Sequence, residues 1–170
     1  MDKKLVSKEK FEEVARRNAA ILSRFNRMSP QFINLRAANL RDADLSYATL
    51  SYANLSSCRG LLNASQWLQE QFKKTTDGYI VYKAFNLHYF PPTAWVIAPG
   101  SVIEELGVNP DRCTLCGSGV NFATYKWFNP SVEVWECLLK WEDLADTVVP
   151  FNTDGKARTS RLTLVKKVEG

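Results

Sequence analysis

Cys113 and Cys116 are two residues apart, and Gly117-Ser118-Gly119 follows them at once. Two thiolates at this spacing supply half of a zinc site, and a full site needs two more ligands. Cys137, Cys58 and His88 are the only other cysteines and histidine in the chain. A metal site would therefore use Cys113, Cys116, Cys137 and His88, while Cys58 falls in a small-residue position of a repeat and reads as core. A redox pair needs a helix start beneath it to activate a thiol, and here a glycine turn and a strand-like stretch follow instead. The reading taken is structural, buried thiols with no metal or cofactor, and with zinc or redox chemistry as the alternatives. His88 lies in the aromatic stretch Asn86-Leu87-His88-Tyr89-Phe90 with two prolines behind it. No serine or cysteine sits in a nucleophile frame, so no catalytic residue is assigned and the chain reads as a non-enzyme.

A ligand site would draw on other residue types. Gly117 and Gly119 permit close backbone approach, and Lys156 and Arg158 within Asp154-Gly155-Lys156-Ala157-Arg158 supply positive charge for an anion. Lys83, Tyr89 and Trp127 add a cation and rings on which a base could stack. These seven residues are the candidate ligand set, with two ordinary turns as the plainer reading. Neither phosphate-binding glycine frame is present.

These side chains need elements to hold them. Residues 7–28 carry apolar residues at three- and four-residue steps from Phe11 to Met28 and predict a helix ending at Ser29-Pro30. Residues 63–74 predict a second helix, with Asn63 as N-cap and Gln66 three later in a capping-box pattern. From residue 79 the texture is strand-like: YIVYKAF, AWVIA, VNFATYKWF, VEVWECLLKW, DTVVPF and RLTLVKKV, punctuated by Pro and Gly. Trp135, Cys137, Leu139 and Trp141 share one side of an extended strand, so this half predicts a compact antiparallel sheet or barrel.

Between the helices the period is five. Leu35, Leu40, Leu45, Leu50 and Leu55 are each preceded at two residues by Ile33 or alanine, and directly by Asn, Asp or Thr. A five-residue step turns an α-helix by about 140°, which spirals the leucines around every face. On a flat strand an odd step flips sides each time. A chain that turns a corner every five residues points every leucine inward, with the short polar residues bonding at the bends.

FINLR-AANLR-DADLS-YATLS-YANLS resembles the pentapeptide-repeat family, whose pattern is A-(D/N)-L-X-X. The resemblance implies a right-handed quadrilateral β-helix with four repeats per coil, here about one and a quarter coils, which needs a cap at each end. The segment carries three basic and two acidic residues over 29–60, and this short, near-neutral run does not suit the DNA mimicry of long family members. Asp77-Gly-Tyr-Ile-Val-Tyr-Lys83, Cys116-Gly-Ser-Gly119, Trp141-Glu-Asp-Leu144 and Asp154-Gly-Lys-Ala-Arg158 resemble a domain of unknown function found in phages and giant viruses. That resemblance implies an origin and carries no activity.

The expected fold is mainly β with flanking helices (α+β): a capping helix over 1–30, a repeat coil over 31–62, a linking helix over 63–76 and a β-rich domain over 77–170. Net charge is +4 with basic ends and an acidic middle, a distribution read as solubility rather than nucleic-acid binding. The start lacks an apolar signal core, and no stretch reaches the length of a membrane span. A reducing cytoplasm is expected, the host's if the protein is viral. The expected function is non-enzymatic binding of a host protein. The alternative is sequestration of a nucleotide-like signal in anti-defence, and a weaker one is an enzyme on Cys113, Cys116 and His88. An uncapped coil edge would invite pairing of two copies.

Overall fold

The computed structural model describes residues 34–40, 43–45, 48, 50, 53–85, 91–129 and 132–168. The helix expected over 7–28 lies outside them, as do His88 and Tyr89.

Two described stretches of the repeat segment pair in parallel, Asn34 with Asn54 and Asn39 with Arg59. Each pair is twenty residues apart, the length of four five-residue repeats. Every five residues an amide bonds back across a turn: Ala38 to Leu35, Ala43 to Leu40, Ala48 to Leu45, Ala53 to Leu50 and Cys58 to Leu55. Asn34 and Asn54 each accept the amide two residues on, at 3.1 Å. Ala37 and Ser57, also twenty apart, both take left-handed backbone at φ 59° and 58°. Leu40 and Leu50 are buried, while Asn34, Asn39, Asp44 and Asn54 are exposed.

Helix α1 spans Ala64–Gln71. Asn63 caps it by accepting from the Gln66 amide. The reciprocal half of the box is missing, because the Gln66 side chain bonds Glu70 instead. The helix ends three residues before the predicted boundary. Phe72 is extended, and Lys73–Lys74 form strand β1 against Ile80 and Tyr79 of β2, Gly78–Ala84. Ladder bonds there outweigh further helix. The intervening turn needs Gly78, since a Cβ would stand 1.9 Å from the Leu139 carbonyl oxygen.

The remaining strands are β3 (Val102–Glu104), β4 (Val120–Ala123), β5 (Val134–Lys140), β6 (Lys156–Thr159) and β7 (Arg161–Lys167). All pair antiparallel in one curled sheet, ordered β3-β7-β5-β2-β4-β6 with β1 beside β2. The chain is thus mainly β, as expected. Tyr79 and Val81, Phe122, Trp135, Cys137, Leu139, Leu162 and Leu164 fill the inward face, and Trp67, Leu68 and Phe72 pack with them. Among the described residues no helix is long and apolar enough to cross a membrane.

Three predicted strands differ. Residues 94–98 hold no strand; Trp95 closes a turn on Pro92 and its indole donates to Glu104 O. VNFATYKWF is extended only to Ala123, after which Tyr125–Trp127 coil into a 3-10 turn. In DTVVPF only Val148 bridges, to Arg158, because Pro150 has no amide to extend the ladder. Trp141 leaves the β5 face as well, opening the 3-10 segment Trp141–Asp146 and donating to Thr76 O.

Candidate functional site

Strand β6 is where the predicted residues meet. Ala157 faces the core opposite Phe122, so Lys156 and Arg158 leave the other face, paired with Ala123 and Asn121. A loop over residues 109–118 lies on that face, closed by the Asn109 amide bonding Ser118 O.

Arg158 holds the loop from beneath. Its side chain is fully buried, and its guanidinium donates to Asn109 O at 2.7 Å, Thr114 O at 3.0 Å and Asp111 O. The planar fork suits three carbonyls that converge on it from one loop. Burial pulls the guanidinium below its ordinary pKa, with Asp111 opposing. Asp111 folds the loop locally, accepting from the Cys113 amide and the Thr114 hydroxyl, and these bonds hold its carboxyl low.

Two residues before Arg158, Lys156 reaches the loop's far side. Its ammonium lies 3.5 Å from Cys116 Sγ, 3.4 Å from an Asp154 carboxylate oxygen and 5.0 Å from the Trp127 ring centre. Trp127 Nε1 donates to the same Asp154 oxygen at 3.0 Å. The other Asp154 oxygen is buried and has no hydrogen-bond partner among the described residues. Gly155 makes the approach possible: its φ is 120°, and a Cβ would meet Thr124 Oγ1 at 2.9 Å. Cys116 is exposed and Cys113 half-buried. Burial, then Asp111, pushes the Cys113 thiol up.

The structure therefore brings together Trp127, Lys156 and Cys116. Gly117 and Gly119 stand beside them, but their carbonyls accept from Asn121 Nδ2 at 3.0 Å each, which closes the glycine turn on itself. Lys83 is elsewhere. It lies on the inward face, donates to Asn121 O at 2.8 Å and sits 5.4 Å from the Phe85 and Trp95 ring centres. Burial lowers its ammonium to about 8 and pushes the neighbouring Cys137 thiol up to about 12. Cys137 is in the core and Cys116 on the surface. Among the described residues no three His, Cys, Asp or Glu side chains gather as a metal set.

Asp154 is the site residue that sequence reasoning left in the turn without a role. Its signal was its position two residues before Lys156, which places carboxylate and ammonium at one end of a strand. A separate open hollow of about 400 Å³ lies between Thr76, Asp77, Leu138, Lys140, Trp141 and Glu142.

Residues 31–59 match the family model described as Pentapeptide repeats (8 copies). The match places this segment, and leaves the viral resemblance of residues 77–168 without support. No curated protein and no solved structure matches the chain.

Proposed function

We propose that the chain is a non-enzymatic binding protein, with the repeat segment as scaffold and the β sheet as contact surface. On this reading residues 33–57 wind a short right-handed quadrilateral β-helix. The twenty-residue parallel register and the turn at every fifth residue support that reading.

The observation that carries the binding function is the aromatic ridge over Tyr125–Trp127. Tyr125 is 50% and Trp127 42% exposed. Both rings are braced, Tyr125 against Tyr82 at 5.3 Å and Trp127 against Phe128 at 5.2 Å, with the Lys156 ammonium beside the Trp127 ring. Rigid exposed rings lose little freedom on contact and act as anchors in protein interfaces. The partner is a protein; if the second half is of viral type, it is a host factor met in the host cytoplasm.

A nucleotide-binding reading has less to work with. Arg158 is committed to carbonyls, Lys156 is paired with Asp154, and Lys83 is buried. The test is capture of partner protein by wild type and by a Tyr125→Ala/Trp127→Ala variant. The variant is expected to lose at least about tenfold in captured partner while still unfolding in a single cooperative transition. Equal capture, or a nucleotide that co-purifies and raises the melting temperature, would overturn the reading.

A further inference from the structure

We infer that the hollow beside Trp141 is a binding site for a neutral saccharide, with the Trp141 indole as its platform and Asp77 and Glu142 as its acceptors. The inference is independent of the aromatic ridge acting as an interface.

Both walls of the hollow are tied in place. One is the turn at Thr76 and Asp77, between β1 and β2. The other is the end of β5 and the start of the 3-10 segment that follows it. Gly78 pairs with Lys140 and, lacking a Cβ, lets the two walls approach. The Trp141 amide donates to Asp77 O at 3.1 Å, and its indole donates to Thr76 O at 2.6 Å. Tyr79 makes a T-shaped contact with the indole at 5.0 Å, and the Lys74 ammonium lies 5.5 Å from its ring centre. The ring is thus held before any ligand arrives, which keeps the entropy cost of binding low. It is still 36% exposed.

The lining selects the ligand by elimination. A hollow of about 400 Å³ is of small-molecule size. Asp77 and Glu142 would repel an anion, and Lys140 and Lys74 would repel a cation. Glu142 is shared between Lys140 at 3.8 Å and Arg161 at 3.2 Å, so its charge is already balanced. An apolar ligand would strip water from these charges and put nothing in its place. A pyranose meets both demands. Its C–H face carries partial positive charge and lies against the negative face of an indole, with Leu138 beside it. Its hydroxyl rim donates to the two carboxylates and accepts from Lys140 and the Thr76 hydroxyl.

The experiment titrates the full chain with maltose, cellobiose, lactose and N,N′-diacetylchitobiose. Indole N–H signals are followed by NMR, with Trp141 assigned by its absence in Trp141→Phe. At least one of the four should move the Trp141 signal saturably, with a midpoint of about 10 mM or below. Movement by none of them overturns the inference. Asp77→Ala should weaken that saccharide about tenfold, and equal affinity overturns the inference. Trp141→Ala should abolish binding, read by saturation transfer to the sugar C–H protons, and retention in a folded variant overturns it. Trp127→Ala should bind as wild type does; loss there would put the saccharide on the ridge and overturn the inference. Tighter binding of glucuronate or butylamine would make the hollow an ion site and overturn it as well. If Trp141→Ala does not fold, the wild-type titration and Asp77→Ala decide.

Discussion

Lys83 and Cys137 make the inward face of the sheet a titrating pair with opposite signs. Lysine ordinarily titrates at 10.5, and in the folded protein burial brings Lys83 to about 8. Between those values the unfolded chain holds a proton that the folded one has lost. Unfolding then takes up a proton, so stability rises with pH across that window. Cysteine ordinarily titrates at 9.0, and Cys137 does so at about 12. There the folded state keeps the proton, and stability falls between the two values. The limiting slopes are equal, about 1.4 kcal/mol per pH unit for one proton. From this pair, stability should climb from pH 8 to 9, level off to 10.5 where the two oppose, and fall beyond. Subtracting the urea unfolding free energies of Lys83→Met from those of wild type isolates the lysine. That difference should move in favour of wild type between pH 8 and 10.5. A difference that stays flat would show that Lys83 keeps its ordinary titration.

At the scale of elements, the repeat segment makes a prediction about length. If four repeats complete one coil, twenty inserted residues return the chain to the same corner, and ten leave it on the opposite side. Doubling the segment 34–53 should therefore give a protein that unfolds in one transition near the wild-type temperature. Adding only 34–43 should break the parallel pairing of Asn34 with Asn54 and Asn39 with Arg59, and lower the melting temperature by at least about 5 °C. Equal effects of the two insertions would rule out a four-repeat coil. This element was legible because its period is written in consecutive residues; Leu, Ala and Asn recur in one register. Strand β5 was legible for the same reason, through alternating Trp135, Cys137 and Leu139. Strand β6 was not. Lys156-Ala-Arg-Thr159 shows no apolar alternation, because one side of it faces the polar interior of a loop. Arg158 accordingly read as an anion ligand, when its partners are three carbonyls more than forty residues away. The Cys116–Lys156 contact was hidden in the same way. Both residue types were visible, but their meeting depends on where a sheet folds a distant loop.

For the whole molecule, the question is whether the repeat segment and the sheet unfold together. Among the described residues, side chains of Asn152 and Arg112 make contacts that join them. Asn152 is buried and its side-chain amide donates to Ala48 O within the repeats. Arg112 donates to Leu62 O at 2.7 Å and to Val149 O at 2.6 Å, with its guanidinium 4.0 Å from the Phe151 ring centre. One guanidinium thus bridges the chain just before α1 to the same 148–152 stretch that carries Asn152. A short solenoid that buries its end against a neighbour has little stability of its own, so the joint should couple the two parts into one cooperative unit. Two probes report on the parts separately. All five tryptophans lie at or beyond Trp67, so their fluorescence follows the sheet and α1, while alkylation of Cys58 follows the repeats. In urea both should change at the same midpoint. Asn152→Ala removes a buried donor and leaves Ala48 O without it, a loss of about 1–3 kcal/mol, and should lower both midpoints equally. Cys58 becoming reactive at lower urea than the fluorescence change, in wild type or in Asn152→Ala, would show instead that the repeats unfold on their own.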